Sequence, residues 1–341
     1  MQVIERGQGK LAGWRHPDEQ RKWLKENKTR ELLDKQMSLK DAVSRFVKDG
    51  DYIAMGGFGH IRAPMAGIYE IIRQGKKDLT LACKTAVHDG DILISSGCVS
   101  NVEIAYAFAQ ELRGLGRGSK RMVETGQCKV LAEISNSAFQ WRFLAGMMGI
   151  PCIPTRAMLG TDTFRYSSAI TVEDPFTNEP ICLIPSCNPD VTMIHVHRCD
   201  IYGNCQVDGT IVEDFELARA SRRVIITTEE IIPTEKIRET PWRTAIPYFL
   251  VDAVIEVPFG GHPGTVPYLY YFDEFHIGEW LKVSKTPEGT QEYFQKYVYN
   301  TKDFDEYLDV IGGHKKMNYL KKLEKMQVPL EAPWLKGSDN S

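Results

Sequence analysis

From Ser38 onward, short apolar runs and amphipathic helical stretches take turns along the chain, and this alternation narrows the fold more than any other feature. Ser38 with Asp41 three residues on opens a capping-box-like start, after which Ala42, Val43, Phe46 and Val47 share one helical face. Tyr52 to Met55 is a strand-like run broken by Gly56-Gly57-Phe58-Gly59. Pro64 then opens a helix that puts Met65, Ile68, Ile71 and Ile72 on one side. Leu79 to Cys83 is the next strand. The pattern returns with strands at Val191 to Val196, Val224 to Thr228 and Val251 to Val257, and helices near Asn136 to Met148 and Asp214 to Ser221. Strands that alternate with helices predict an α/β fold, an open and mainly parallel sheet flanked by helices.

Three regions differ in composition. Residues 1–36 hold nine Lys or Arg and six Asp or Glu, which marks a charged extension outside the core, with residues 21–35 as a helix that is either solvated or laid on a neighbouring surface. Residues 37–313 form the α/β domain, whose later part, from Glu288, carries Tyr293, Phe294, Tyr297, Phe304 and Tyr307 as a helical aromatic stripe. Residues 314–341 are expected to be a tail, its last stretch from Pro329 polar and loose.

The chain of 341 residues is long enough for a large core, and its charge is nearly balanced: 42 Lys plus Arg against 45 Asp plus Glu. No basic excess is available to neutralise a phosphate backbone, so a nucleic-acid partner is not expected. The first twenty residues carry both signs of charge and no apolar stretch, and no segment approaches the roughly 20 apolar residues of a membrane span. A cytoplasmic protein without a membrane partner is the expectation. The eight cysteines form no C-x-x-C pair and are read as reduced, structural thiols.

Local motifs are individually modest. The glycine turn at residues 56–59 lets backbone N–H groups approach a ligand, yet Arg62 stands where a dinucleotide fingerprint has its third glycine. His195 and His197 point to one face of a strand without an acidic cluster beside them, so they are read as hydrogen-bonded core residues, with no metal. Gly149-Ile-Pro151, Asp200-Ile-Tyr-Gly203-Asn204 and Gly260-Gly261-His262-Pro263 each read as a turn. The basic group Arg117, Lys120 and Arg121 reads as a solvated loop or as a contact for the phosphates of a ligand.

Taken in order, the glycine turn at 56–59, Gly149-Ile-Pro151-Cys-Ile-Pro154, Leu159-Gly160-Thr161, Asp200-x-x-Gly203-Asn204 and Gly260-Gly261-His262-Pro263 resemble the α subunit of family I coenzyme A transferases. The Gly-His-Pro turn, with Val283-Ser284-Lys285-Thr286 and Lys302-Asp-x-Asp305-Glu306-Tyr307-Leu308, resembles the α subunit of the glutaconate branch. The likeness runs from about Ser38 to about Gly313. It implies the fold of the CoA-transferase (NagB/RpiA-like) superfamily and a homologous β subunit in an α2β2 or larger heteromer. It also implies a β-subunit glutamate that attacks an acyl-CoA and passes CoA to a carboxylic acid through a glutamyl-CoA thioester. CoA enters as a substrate, with no permanently bound cofactor and no metal. The Ser-Glu-Asn-Gly context of that nucleophile is absent from this chain, whose only Glu-Asn is Glu26-Asn27.

What the resemblance leaves to this chain is support and pocket wall. Asn136 stands where fused relatives have an oxyanion-binding glutamine, and it is either that donor or a cap for the helix that follows. Glu133 is either a structural carboxylate at a strand end or the base of a ring-opening hydrolase or decarboxylase of the same fold. Gly57, Phe58, Gly59, Arg62, Gly160 and His262 are the implied substrate-binding residues; Arg62 is either a surface arginine or the partner of a distal acyl carboxylate, and His262 lines the same cleft. A non-catalytic ligand-binding or regulatory module is the alternative from another class; no basic helix-turn-helix segment in residues 1–36 links it to DNA.

Overall fold

A computed structural model describes residues 2–332 and Trp334. Its centre is a seven-stranded sheet in the order Ala253–Glu256, Arg223–Thr228, Val191–Val196, Tyr52–Met55, Leu79–Cys83, Val99–Ile104 and Lys129–Glu133. Every pairing in it is parallel. The chain builds outward in one direction from Tyr52–Met55, then returns to add three strands on the other side. The reversal falls between Tyr52–Met55 and Val191–Val196, the position at which open α/β sheets form a crevice at their carboxyl edge.

Alternate residues of each strand sort into two hydrophobic layers, as the two-residue period of a strand demands. Ile53, Leu81, Met193 and Ile225 pack on one face with the helices Leu39–Phe46, Met65–Arg73 and His88–Ser95 and with the C-terminal aromatic stripe. Ala54, Ala82, Ile194 and Ile226 pack on the other with the helices Asn136–Met148 and Asp214–Ala220. Ser38 caps its helix as expected, its side chain accepting from the Asp41 N–H.

Sequence periodicity does not bring out the second sheet, in which Val3–Arg6, Ile170–Glu173, Pro180–Pro185 and Cys152–Thr155 pair antiparallel. Its strands are short, and two carry proline. The charged extension therefore contributes an edge strand. Its helix, Pro17–Asn27, keeps a charged outer face but buries Gln20, whose amide donates to the Ala220 carbonyl at 3.0 Å. Residues from 314, expected as a tail, begin as part of the helix Gly313–Glu324; Met317, Leu320 and Leu323 are buried with Val266 and Tyr270. Arg117, Lys120 and Arg121 lie on a helix, not a loop, and Arg121 is tied to the Ser284 carbonyl at 2.8 Å and the Thr290 hydroxyl at 2.9 Å. The eight cysteines are free thiols, seven of them buried. Among the described residues no helix is long and apolar enough to cross a membrane.

Candidate functional site

The glycine turn folds back onto itself. Gly57 has φ of 83°, and a Cβ there would lie 2.4 Å from the Ile61 carbonyl oxygen, so both the conformation and the space require glycine. Its N–H donates to Asp214 Oδ1 at 2.8 Å and is therefore committed internally. Arg62 is neither a surface residue nor free for an acyl carboxylate, which corrects both readings of it. It is 1% exposed, its guanidinium pairs with Asp214 Oδ2 at 2.6 Å, and it donates to the His195 and Thr210 carbonyls at 3.2 and 2.9 Å. The crevice at the strand reversal is thus filled by an arginine–aspartate pair that joins both halves of the sheet.

A second group of polar side chains lies one gap further along the carboxyl edge. Phe58, half-buried, faces the ammonium of Lys84, which sits 4.8 Å from the ring centroid just beyond the Leu79–Cys83 strand. Lys84 is buried and ion-paired with Glu213, immediately before the helix Asp214–Ala220. Burial raises the Glu213 carboxyl to about 7, against the opposing pull of the Lys84 charge. Thr85 follows with φ of 52° and exchanges hydrogen bonds with Asn136, whose Nδ2 donates to Thr85 Oγ1 at 2.9 Å. Gly59 closes this corner, with Thr85 and Val87 within 4 Å of the place its Cβ would take.

Asn136 is not the cap of its helix. That role belongs to Ser135, whose side chain accepts from the Ala138 N–H, and Asn136 is the exposed first residue of the helix. A primary amide has two N–H groups, of which Thr85 takes one. The other has no hydrogen-bond partner among the described residues and stands at the positive end of the helix.

The remaining expected residues do not join this cluster. His262 is completely buried, held through Nδ1 by the Tyr307 hydroxyl at 2.7 Å and through Nε2 by Asp273 at 3.0 Å. It anchors the aromatic C-terminal helices and does not line the cleft. Gly160 is exposed, with nothing within 4 Å of a Cβ placed on it. Glu133 is exposed at the end of its edge strand, in a separate depression of about 400 Å³ shared with Gln8, Gly9 and Tyr166. His195 and His197 are hydrogen-bonded core residues as expected: His195 to Thr227 and Glu229, His197 to the Pro267 carbonyl and the Asp208 N–H. The residues that sequence reasoning missed are Lys84, Thr85, Glu213 and Asp214. Their trace in the sequence is slight, a Lys-Thr pair just after a strand and a Glu-Asp pair just before a helix, both commonplace without the tertiary contacts.

The fold and site together are a switch-point α/β sheet with buried ion pairs beneath an exposed amide donor. The chain belongs to the Coenzyme A transferase family, whose model matches residues 36–257. It is 32% identical to the A-type subunit of the glutaconate CoA-transferase of Acidaminococcus fermentans over 84% of this chain and 94% of that one. The crystal structure of that glutaconate coenzyme A-transferase superposes with a TM-score of 0.81 at 31% identity, covering 84% of this chain and 95% of the other. The A-type subunit of the 3-oxoadipate CoA-transferase of Pseudomonas knackmussii is 34% identical over 80% of this chain and 96% of its own length. A variant of the decarboxylase AibA/AibB superposes with a TM-score of 0.67 at 30% identity, over 76% of this chain and 98% of that one.

Proposed function

We propose that this chain is the α subunit of a two-subunit CoA-transferase that moves CoA between an acyl-CoA and a carboxylic acid, with the nucleophilic glutamate on a homologous β subunit. The observation that carries the proposal is the pairing of Asn136 with Thr85 at the carboxyl edge, which fixes one amide N–H of Asn136 and leaves the other for substrate. When a carboxylate attacks a thioester, negative charge gathers on the carbonyl oxygen. A held amide donor at the positive end of a helix stabilises that charge, by roughly 2.7 to 4 kcal/mol in comparable oxyanion holes. The Lys84–Glu213 pair lies beneath, holding Phe58 in place and keeping the ammonium charge inside the subunit.

Two of the relatives are named for glutaconate and 3-oxoadipate, both dicarboxylates, and a short dicarboxylic acyl group is the substrate class proposed. With Arg62 committed to Asp214, recognition of a distal carboxylate falls to other groups. CoA enters as a substrate and no resident cofactor is required. The test is to co-express the α/β pair, incubate it with glutaconyl-CoA and borohydride, and look for a reduced glutamyl thioester by mass spectrometry. Conversion of a glutamate to the corresponding alcohol on the partner subunit alone, with release of CoA thiol, supports the transferase. Turnover with no reduced glutamate would replace it by a hydrolytic or a decarboxylating reaction, the likeness to the decarboxylase AibA/AibB being the supporting observation for the second.

A further inference from the structure

The far end of the Asn136–Met148 helix opens onto a second concavity, a groove of about 710 Å³ between the Pro17–Asn27 helix and the body of the subunit. At 1.5 Å per residue it lies roughly 20 Å from Asn136. One wall comes from residues 17–30, which precede the stretch matched by the family model, and the other from residues within it.

Its lining includes Arg21, Lys25, Lys28, Arg30 and Arg219 and no carboxylate. Two of these charges are answered nearby: Lys28 by Asp252, and Arg21 by the exposed Asp18 at 3.6 Å. Lys25, Arg30 and Arg219 have no ion-pair partner among the described residues, and all three are exposed. Helix ends attract cations, and three helix C-termini meet here: those of Pro17–Asn27, Asn136–Met148 and Asp214–Ala220. At about half a negative charge each they fall short of three unanswered cations. Between the charges the lining is apolar, with Leu24, Met148 and Phe249. The volume lies within the roughly 300 to 1,000 Å³ of small-molecule sites.

We infer that this groove binds a small molecule carrying several phosphate charges and an apolar ring system, the chemistry of an adenosine polyphosphate. Its phosphates would meet Lys25, Arg30 and Arg219, and its base the Met148 and Phe249 surfaces. Two sources share this chemistry: the nucleotide end of CoA and a free adenine nucleotide. The groove's chemistry is independent of the reaction assigned to the cleft.

The test uses the full chain in complex with its partner and two probes, ADP and adenosine 3′,5′-bisphosphate, titrated by calorimetry up to about 1 mM. Binding of either that weakens about tenfold or more in Lys25→Glu/Arg219→Glu supports the site. Tighter binding of the bisphosphate assigns it to CoA, and tighter binding of ADP to a free nucleotide. No binding of either probe, or binding equally tight in the variant, overturns the proposal. Photolabelling with 8-azido-ADP locates the site separately. Label within residues 17–30, 146–149 or 249–250 supports it, and label confined to the surroundings of Phe58 and Asn136 overturns it.

Discussion

The two ends of the Asn136–Met148 helix are built on opposite electrostatic plans. At its start, the two nearby cations are buried and answered, Arg62 by Asp214 and Lys84 by Glu213, and Asn136 presents a neutral amide. At its end, charges of one sign stand in the open, three of them unanswered among the described residues. Positive side chains are thus held in two ways. Where charges are buried in pairs, they fix geometry and removal of one partner is costly; where they are exposed, they attract a counter-charge and removal costs the fold little.

The largest expected effect comes from breaking the first plan. Asp214→Ala strips Arg62 of its partner in a fully buried position and takes the acceptor from the Gly57 N–H. The expected loss is about 3 to 5 kcal/mol, read as a fall in the urea midpoint. A midpoint within error of wild type would show that the pair is dispensable.

Next come paired variants that separate capping from catalysis. Asn136→Ala is expected to lower turnover of the heteromer about a hundredfold with the melting temperature nearly unchanged, because the cap is Ser135. Ser135→Ala is expected to cost about 1 kcal/mol of stability, with a much smaller effect on turnover. If both variants lose stability and neither loses turnover, Asn136 is structural.

Smaller effects are expected in pH dependence. Glu213 holds its proton to about 7 in the folded chain, above its ordinary value in the unfolded one, so its contribution is fully present below about 4.5 and lost as pH rises through 7. Wild type should therefore lose stability relative to Glu213→Gln between pH 4.5 and 7. His60 has the opposite sign: burial and the Arg113 charge lower it to about 3, and neither ring nitrogen has a hydrogen-bond partner among the described residues. Its contribution is present above about 6.5 and lost as pH falls toward 3, so His60→Leu should flatten the acid limb of the stability profile. Chemical denaturation at a series of pH values measures both. The smallest effect belongs to the groove, where Lys25→Glu/Arg219→Glu should shift stability by no more than about 0.5 kcal/mol per site.

Much of this organisation is legible from residues alone. The Asn136–Met148 helix, the strands Tyr52–Met55, Leu79–Cys83 and Val191–Val196 and the glycine turn between residues 56 and 59 all carry local patterns, because periodicity and turn chemistry act over a few residues. Gly149 ends the helix in the left-handed conformation, with φ of 68°, a role its position before Ile-Pro suits. Phe58 and Gly59 lie beside Lys84 and Thr85, and Thr85 is hydrogen-bonded to Asn136. Arg62 and His262 do not keep their expected places. Nothing local distinguishes an arginine that faces substrate from one that faces an aspartate 152 positions later.

By itself, then, the sequence determined the main strands and helices of the parallel α/β sheet and the family to which the chain belongs, since these rest on short-range pattern and motif order. Tertiary structure alone decided which charges are answered. The Arg62–Asp214 pair depends on two halves of a sheet meeting at the strand reversal, and the cationic groove on an N-terminal helix resting beside residues more than a hundred positions away. Charge pairing is settled by distance in space and by burial, and neither is encoded in neighbouring residues.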